Sequence, residues 1–328
     1  MPVKLASQLG ERKIIEIFLK VFGKPKIKHI PLGDDISGFK VTKDLWVILK
    51  VDCFVDKTDM PPGMSFRQAG WKAMIMSISD FACKNVTPKV ALVNVNFPSN
   101  MDKKSLLDVA LGLKDAAKTY GIYILGGDIN EASNLTITTI ISGLGKLRDI
   151  ILRSGAKPGD LLAVSGKFGK TSCGLKILLE NLDAPTHIKK KLLKAVYKPK
   201  VKLNLGLNLK KFGVTSSIDS SDGLAWSLYE LSKASNVGFI IKKLPIAREA
   251  KIFAEINRLN PVDLTFYGGE EYEIVATLNP RIYGRIKKEL KRKFMVIGEV
   301  TKEKKIVYID KGEEVKIKPK GWEHFKTE

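Results

Sequence analysis

Apolar residues recur along this chain at two spacings, and the alternation between them outlines its elements. Alternating or continuously apolar runs at Leu45–Val51, Lys89–Asn96, Ile122–Leu125 and Leu135–Ser142 predict strands. Between them, Phe66–Ala82 and Lys103–Tyr120 repeat their apolar positions at helical spacing. The opening stretch, MPVKLASQLGERKIIEIFLK, mixes charged and apolar residues at the same spacing and predicts an amphipathic helix. It has no unbroken apolar run of the kind a signal peptide carries. Strands alternating with helices make the first half an α/β (α+β) unit.

The second half repeats the mixture. Strands are predicted at Leu161–Val164, Val214–Ile218, Gly238–Ile241, Glu271–Thr277, Met295–Val300 and Lys305–Ile309. Helices are predicted at Thr171–Leu179, at Leu224–Ser235 and, strongly basic, at Arg281–Lys293. Gly143–Pro158, rich in Gly, Arg and Lys after a completed strand, marks a boundary between domains 1–148 and 149–328. At 328 residues, two domains are the ordinary expectation. No short repeat and no low-complexity segment interrupts the chain, and its tail carries the aromatic cluster GWEHF.

Composition narrows the classes. No stretch reaches the roughly 20 apolar residues of a membrane helix. Cys53, Cys83 and Cys173 are scattered and lack metal-ligand spacing, which fits a cytoplasmic location. The net charge of +21 raises the question of a polyanionic partner. Yet the longest basic stretch, Ala184–Ile218, sets nine lysines and no acid at helical spacing with Leu192, Leu193, Leu203 and Leu207. That is a solvated helix face, so nucleic acid is not the expected partner.

In so basic a chain, the placing of the aspartates is informative. They follow or divide apolar runs beside Gly or Ser: Gly33-Asp34-Asp35, Val51-Asp52, Ser79-Asp80, Gly126-Gly127-Asp128 and Asp219-Ser220-Ser221-Asp222-Gly223. Taken singly, each fits a turn or a helix cap. Converging, they would repel one another unless cations lay between them, and Mg²⁺ suits such carboxylates together with substrate phosphates. Gly-Gly before Asp128 would let backbone amides approach a phosphate. Gly166-Lys167-Phe168-Gly169-Lys170-Thr171 fails the Walker spacing, because position 164 is Val. The only histidines, His29, His187 and His324, form no catalytic motif with Ser or Cys.

In order, the chain shows PLGDD (31–35), VD (51–52), GWKAMIMSISDFA (70–82), YGIYILGGD (120–128), LRSGAKPGD (152–160), IDSSDGL (218–224), GGEEYEI (268–274) and GWEHF (321–325). Over nearly its whole length this resembles the thiamine-monophosphate kinase family, within the aminoimidazole ribonucleotide synthetase superfamily. The resemblance implies a two-domain fold whose N-terminal sheet builds a barrel across a homodimer. It implies ATP and thiamine monophosphate as substrates and several Mg²⁺ ions. Asp34, Asp52, Asp80, Asp128, Asp219 and Asp222 match the family's metal ligands, with Asp34, Asp52, Asp128 and Asp219 central to catalysis. Gly127, Asp128, Arg153 and Ser221 match nucleotide contacts, and Glu270 and Trp322 match positions at the thiamine end. An aromatic face at Trp322 would attract the thiazolium cation.

The chain also departs from the pattern. Lys50-Val51 replaces hydroxyl residues before Asp52, and Glu271 replaces Asp in GGEEYEI. The family's substrate-contacting His is replaced by Asp59 within Val55–Met60. Two other readings therefore stand beside the kinase: an ATP-using enzyme of the superfamily with a different acceptor, and a non-catalytic nucleotide-binding homologue. Selenophosphate synthetase and the hydrogenase-maturation dehydratase would need a Cys near the N-terminus or at the C-terminus; the first Cys is Cys53 and the chain ends Thr327-Glu328.

Overall fold

A computed structural model describes residues 5–285, 287–290 and 293–325. The first four residues of the predicted N-terminal helix and positions 286, 291 and 292 of the predicted basic helix lie outside these. The first half forms strands β1 (Ser37–Lys40), β2 (Trp46–Val55), β3 (Pro88–Phe97), β4 (Tyr123–Glu131) and β5 (Thr136–Gly145), ordered β1-β2-β5-β3-β4. Within this sheet only β3 and β4 run parallel, joined by the Lys103–Tyr120 helix as a parallel pair requires. The second half supplies β6 (Leu161–Val164), β7 (Val214–Asp219), β8 (Gly238–Ile241), β9 (Ile274–Leu278), β10 (Met295–Thr301), β11 (Ile306–Asp310) and β12 (Glu313–Lys316). Their order is β12-β11-β8-β10-β6-β9-β7.

Local chemistry explains the helices that cover the first sheet. Phe66–Cys83 starts in a capping box, with the Ser65 hydroxyl accepting from Gln68 N. Lys103–Tyr120 starts at Asp102, whose carboxylate accepts from Lys104 N and Ser105 N, and ends at left-handed Gly121. The two helices cross closely where Gly112 meets Arg67: a Cβ there would stand 2.0 Å from the Arg67 carbonyl oxygen. Phe66–Cys83 is buried on nearly every side, against its own sheet and against the second half, where Trp71 Nε1 donates to Pro199 O at 2.7 Å.

Residues two apart share a face of a strand, so Trp46, Ile48, Lys50, Asp52 and Phe54 of β2 all point toward the covering helices. Two charges thus interrupt an inward apolar row. Among the described residues no helix covers the opposite face. There Val51, Ile140 and Leu92 stand in register across β2, β5 and β3, and they are 58%, 39% and 47% exposed.

Three expectations need correction. The strand predicted at Ile122–Leu125 continues to Glu131, so Gly126-Gly127-Asp128 lies inside β4 rather than in a loop. The strand predicted from Glu271 begins only at Ile274, because Glu270 and Tyr272 take positive φ of 62° and 49°, which a strand excludes. The basic segment predicted as one helix has helical pieces at Pro280–Arg285 and Lys287–Leu290.

Candidate active site

Where the Phe66–Cys83 helix meets the second half, a cavity of about 460 Å³ opens. Carboxylates from separate segments line it, among them Asp52 on β2, Asp80 on the helix, Asp219 and Asp222 around the end of β7, and Glu270 before β9. Met60, Met76 and Leu175 supply apolar wall, and Trp322 and His324 enter from the tail.

The electrostatics show negative charge in excess. Burial, then the neighbouring Asp35, pushes the Asp219 carboxyl up to about 7, although the Ser79 hydroxyl donates to it at 2.5 Å. Burial also raises Asp80 well above the carboxylate range; Lys50 opposes this, and Asp219 and Asp52 add to it. Beside them the Ser220 hydroxyl is fully buried and has no hydrogen-bond partner among the described residues. Hard oxygen donors in excess of the cations around them, with an unused hydroxyl, are a donor set that fits Mg²⁺.

Three buried or half-buried lysines meet this charge. Lys50 Nζ lies 2.9 Å from Asp80 Oδ2 and 3.4 Å from Asp52 Oδ1. Lys72 Nζ donates to Asp59 O at 2.8 Å and pairs with Glu270. Lys84 Nζ stands 2.8 Å from Asp34 Oδ1 and 2.7 Å from Asp35 Oδ2, and donates to Ser217 O at 2.6 Å. Burial resists ionisation of Asp35, but the Lys84 ammonium and the Arg153 guanidinium hold its carboxyl well below the usual range. Asp35, Cys83 and Asp219 bring ligand atoms within 4.8 Å of one another. There the thiol donates to Asp35 Oδ2 at 3.4 Å, and burial raises its pKa well above the usual value.

The loop before β9 shapes the far wall. Glu270 N donates to Ser221 O at 2.6 Å and Tyr272 N to Ser220 O at 2.9 Å, which fastens GGEEY onto the Asp219–Gly223 segment. A Cβ on Gly269 would lie 2.7 Å from Ser221 O, so the close approach requires glycine. Glu271 turns away and caps the Lys170–Leu179 helix, accepting from Thr171 N at 3.1 Å. Burial pushes its carboxyl up to about 7, against the bond from Thr171. Trp322 is 47% exposed, and its backbone N–H donates to Asp222 O at 3.0 Å.

The structure thus gathers Asp52, Asp59, Asp80, Asp219, Ser221, Asp222, Glu270 and Trp322 at one cavity. Asp59 is buried in the wall, its Oδ2 accepting from Val55 N at 2.7 Å. Asp34 and Arg153 stand behind the cavity. Asp34 accepts from Arg153 N at 2.9 Å and pairs with Lys84, while the Arg153 side chain binds Asp35 and Glu230. Gly127 and Asp128 lie elsewhere. Gly127, Val93, Thr139 and Asp52 form one row across the sheet, so Asp128, one residue on, projects from the helix-free face with Asn94. Its carboxylate accepts from Asn130 Nδ2 at 2.7 Å. Gly127 owes its lack of a side chain to packing, since a Cβ would fall 1.7 Å from Val93 O. Sequence reasoning missed Lys50, Lys72 and Lys84 as site residues. Their signal was charge at an inward position of β2, within a helix buried nearly all round, and at that helix's C-cap.

A family model described as AIR synthase related protein, N-terminal domain, matches residues 33–147. Two sheets joined at an acidic cavity, with this match, define a protein of the aminoimidazole ribonucleotide synthetase class. Thiamine-monophosphate kinase of Nitrosopumilus maritimus (strain SCM1) is 35% identical over 323 residues, which are 98% of this chain and 100% of that protein. Thiamine-monophosphate kinase of Pyrococcus horikoshii is 33% identical over 98% of this chain and 97% of its own. The chain therefore belongs to the thiamine-monophosphate kinase family. A solved structure described as AaThiL complexed with AMPPCP and TMP superposes with a TM-score of 0.86 at 25% identity, covering 99% of both chains.

Proposed function

We infer that this chain transfers the γ-phosphoryl group of ATP to thiamine monophosphate, yielding thiamine diphosphate and ADP. The observation that carries the reading is the single cavity in which Asp52, Asp80, Asp219 and Asp222 face Glu270 and Trp322. Mg²⁺, when bound, screens and aligns the phosphate oxygens of the two substrates. The chain's own residues supply the frame for that. Asp219 at the end of β7 and Asp222 in the turn after it present their carboxylates, and Asp52 and Asp80 present theirs from the opposite wall. Glu270, steadied by Lys72, and the exposed face of Trp322 suit the cationic thiazolium end. The acceptor is a phosphate monoester with a second pKa near ~6, already ionised at neutral pH, so no general base is needed. Its oxygen forms the new P–O bond in line as the bond to ADP breaks.

We further propose a homodimer, a cytoplasmic enzyme, and a division of labour at residues 148/149, with the nucleotide and dimer contacts before it. The helix-free row of Val51, Ile140 and Leu92 supports the dimer, being apolar surface that a second copy would cover. Asp128 and Gly127 lie on the same sheet and would serve as ligand and nucleotide contact through that second copy; Asp34 and Arg153 would act from behind the cavity. No helix among the described residues is long and apolar enough to cross a membrane.

The test is chromatographic: purified protein, ATP, Mg²⁺ and thiamine monophosphate, scored for thiamine diphosphate. Metal-dependent product is expected. No product alongside clear ATP–Mg²⁺ binding would move the acceptor to another molecule.

A further inference from the structure

Lys50 stands where an ammonium is costly. It occupies the inward row of β2 between Ile48 and Asp52, with its side chain 21% exposed. Its Nζ sits between two carboxylates from different elements, 3.4 Å from Asp52 Oδ1 on β2 and 2.9 Å from Asp80 Oδ2 on the Phe66–Cys83 helix. Lys50, Asp52, Asp80 and Asp219 all line the same cavity.

A divalent ion shared by Asp52 and Asp80 would have to lie about 2.1 Å from an oxygen of each. That is the space the ammonium fills, and two cations so close would repel strongly. We propose that the Lys50 ammonium is a built-in cation that takes the position between Asp52 and Asp80, so that this chain binds one divalent ion fewer than its carboxylates would otherwise hold. Lys50 is a positioning residue in this account. It ties β2 to the helix and keeps both carboxylates in place whether or not metal is present, leaving Asp219, Asp222 and the outer oxygens of Asp52 and Asp80 for ions that arrive with the nucleotide.

The inference rests on reading the cavity as a metal–nucleotide site, and its test is independent of the acceptor. Metal-stripped wild type, Lys50→Met and Lys50→Arg are titrated with Mn²⁺, with and without a non-hydrolysable ATP analogue and with no thiamine phosphate. Free Mn²⁺ is read by electron paramagnetic resonance. Lys50→Met should bind one more Mn²⁺ per chain than wild type, and Lys50→Arg, which keeps the charge, should match wild type. Equal ion counts in wild type and Lys50→Met overturn the proposal. Should Lys50→Met fail to fold, wild type decides: its Lys50 ammonium signal in a ¹⁵N-lysine NMR spectrum, assigned by its absence in Lys50→Arg, should persist at saturating Mg²⁺. Loss of that signal overturns the proposal equally. A chain that makes no thiamine diphosphate would still return the ion count, so the two readings fail separately.

Discussion

Glu271 is a buried carboxylate put to use as a helix cap. Its backbone sits between two residues at positive φ, and its side chain reaches Thr171 N at the start of the Lys170–Leu179 helix. The partial positive charge of a helix N-terminus favours an anion, yet burial wins and the carboxyl rises to about 7. The sign follows from proton linkage. Between the ordinary value of 4.5 and about 7 the folded state binds more proton than the unfolded one, so this group's contribution to stability is complete below 4.5 and is lost as pH rises through 7. Glu271→Gln, neutral throughout and still able to accept from Thr171, should match wild type near pH 4.5. By pH 8 it should be the more stable by up to about 3 kcal/mol. Urea unfolding of both proteins across that range measures the difference, and a constant difference would assign the pKa elsewhere.

At the scale of elements, strand and helix positions were mostly legible, since period and caps agreed with packing. Lys103–Tyr120, Leu161–Val164, Leu224–Ser235 and Gly238–Ile241 form over the expected residues. What escaped were decisions made by neighbours. β4 extends through Gly-Gly because β3 lies close beside it, and a lone sequence gives glycines a turn reading by default. The aspartates of the cavity were legible as a set. Which of them face it was not, because that depends on the sheet register that turns Asp128 away and on Lys84, folded in behind Asp34. Gly127→Ala checks this account of β4. With its Cβ 1.7 Å from the Val93 carbonyl oxygen, the variant should lose about 1–3 kcal/mol of stability as the β3–β4 pair is forced apart. Unchanged thermal and urea unfolding with impaired nucleotide binding would restore a purely ligand-contacting role.

For the whole molecule, the proposed dimer turns on the exposed apolar row of the first sheet. Ile140 stands at the centre of the row with Val51 and Leu92, on the strand between theirs. Ile140→Glu should leave the monomer folded, because the position is already exposed, while two such charges would face each other across a dimer. Light scattering should then report a monomer, with turnover reduced at least tenfold if Asp128 acts across the interface. A dimer of unchanged affinity would move the contact to another surface.

Glu11 and His324 are 313 positions apart, yet the His324 amide donates to Glu11 Oε2 at 3.3 Å on the rim of the cavity. Arg12, one residue on, lies 3.6 Å over the Trp226 ring and pairs with Glu230. Early and late residues thus form a clasp at the mouth of the reaction chamber. For work at the bench this makes Glu11 and His324 poor positions for a label meant to be silent, because a change at either is felt at the cavity rim.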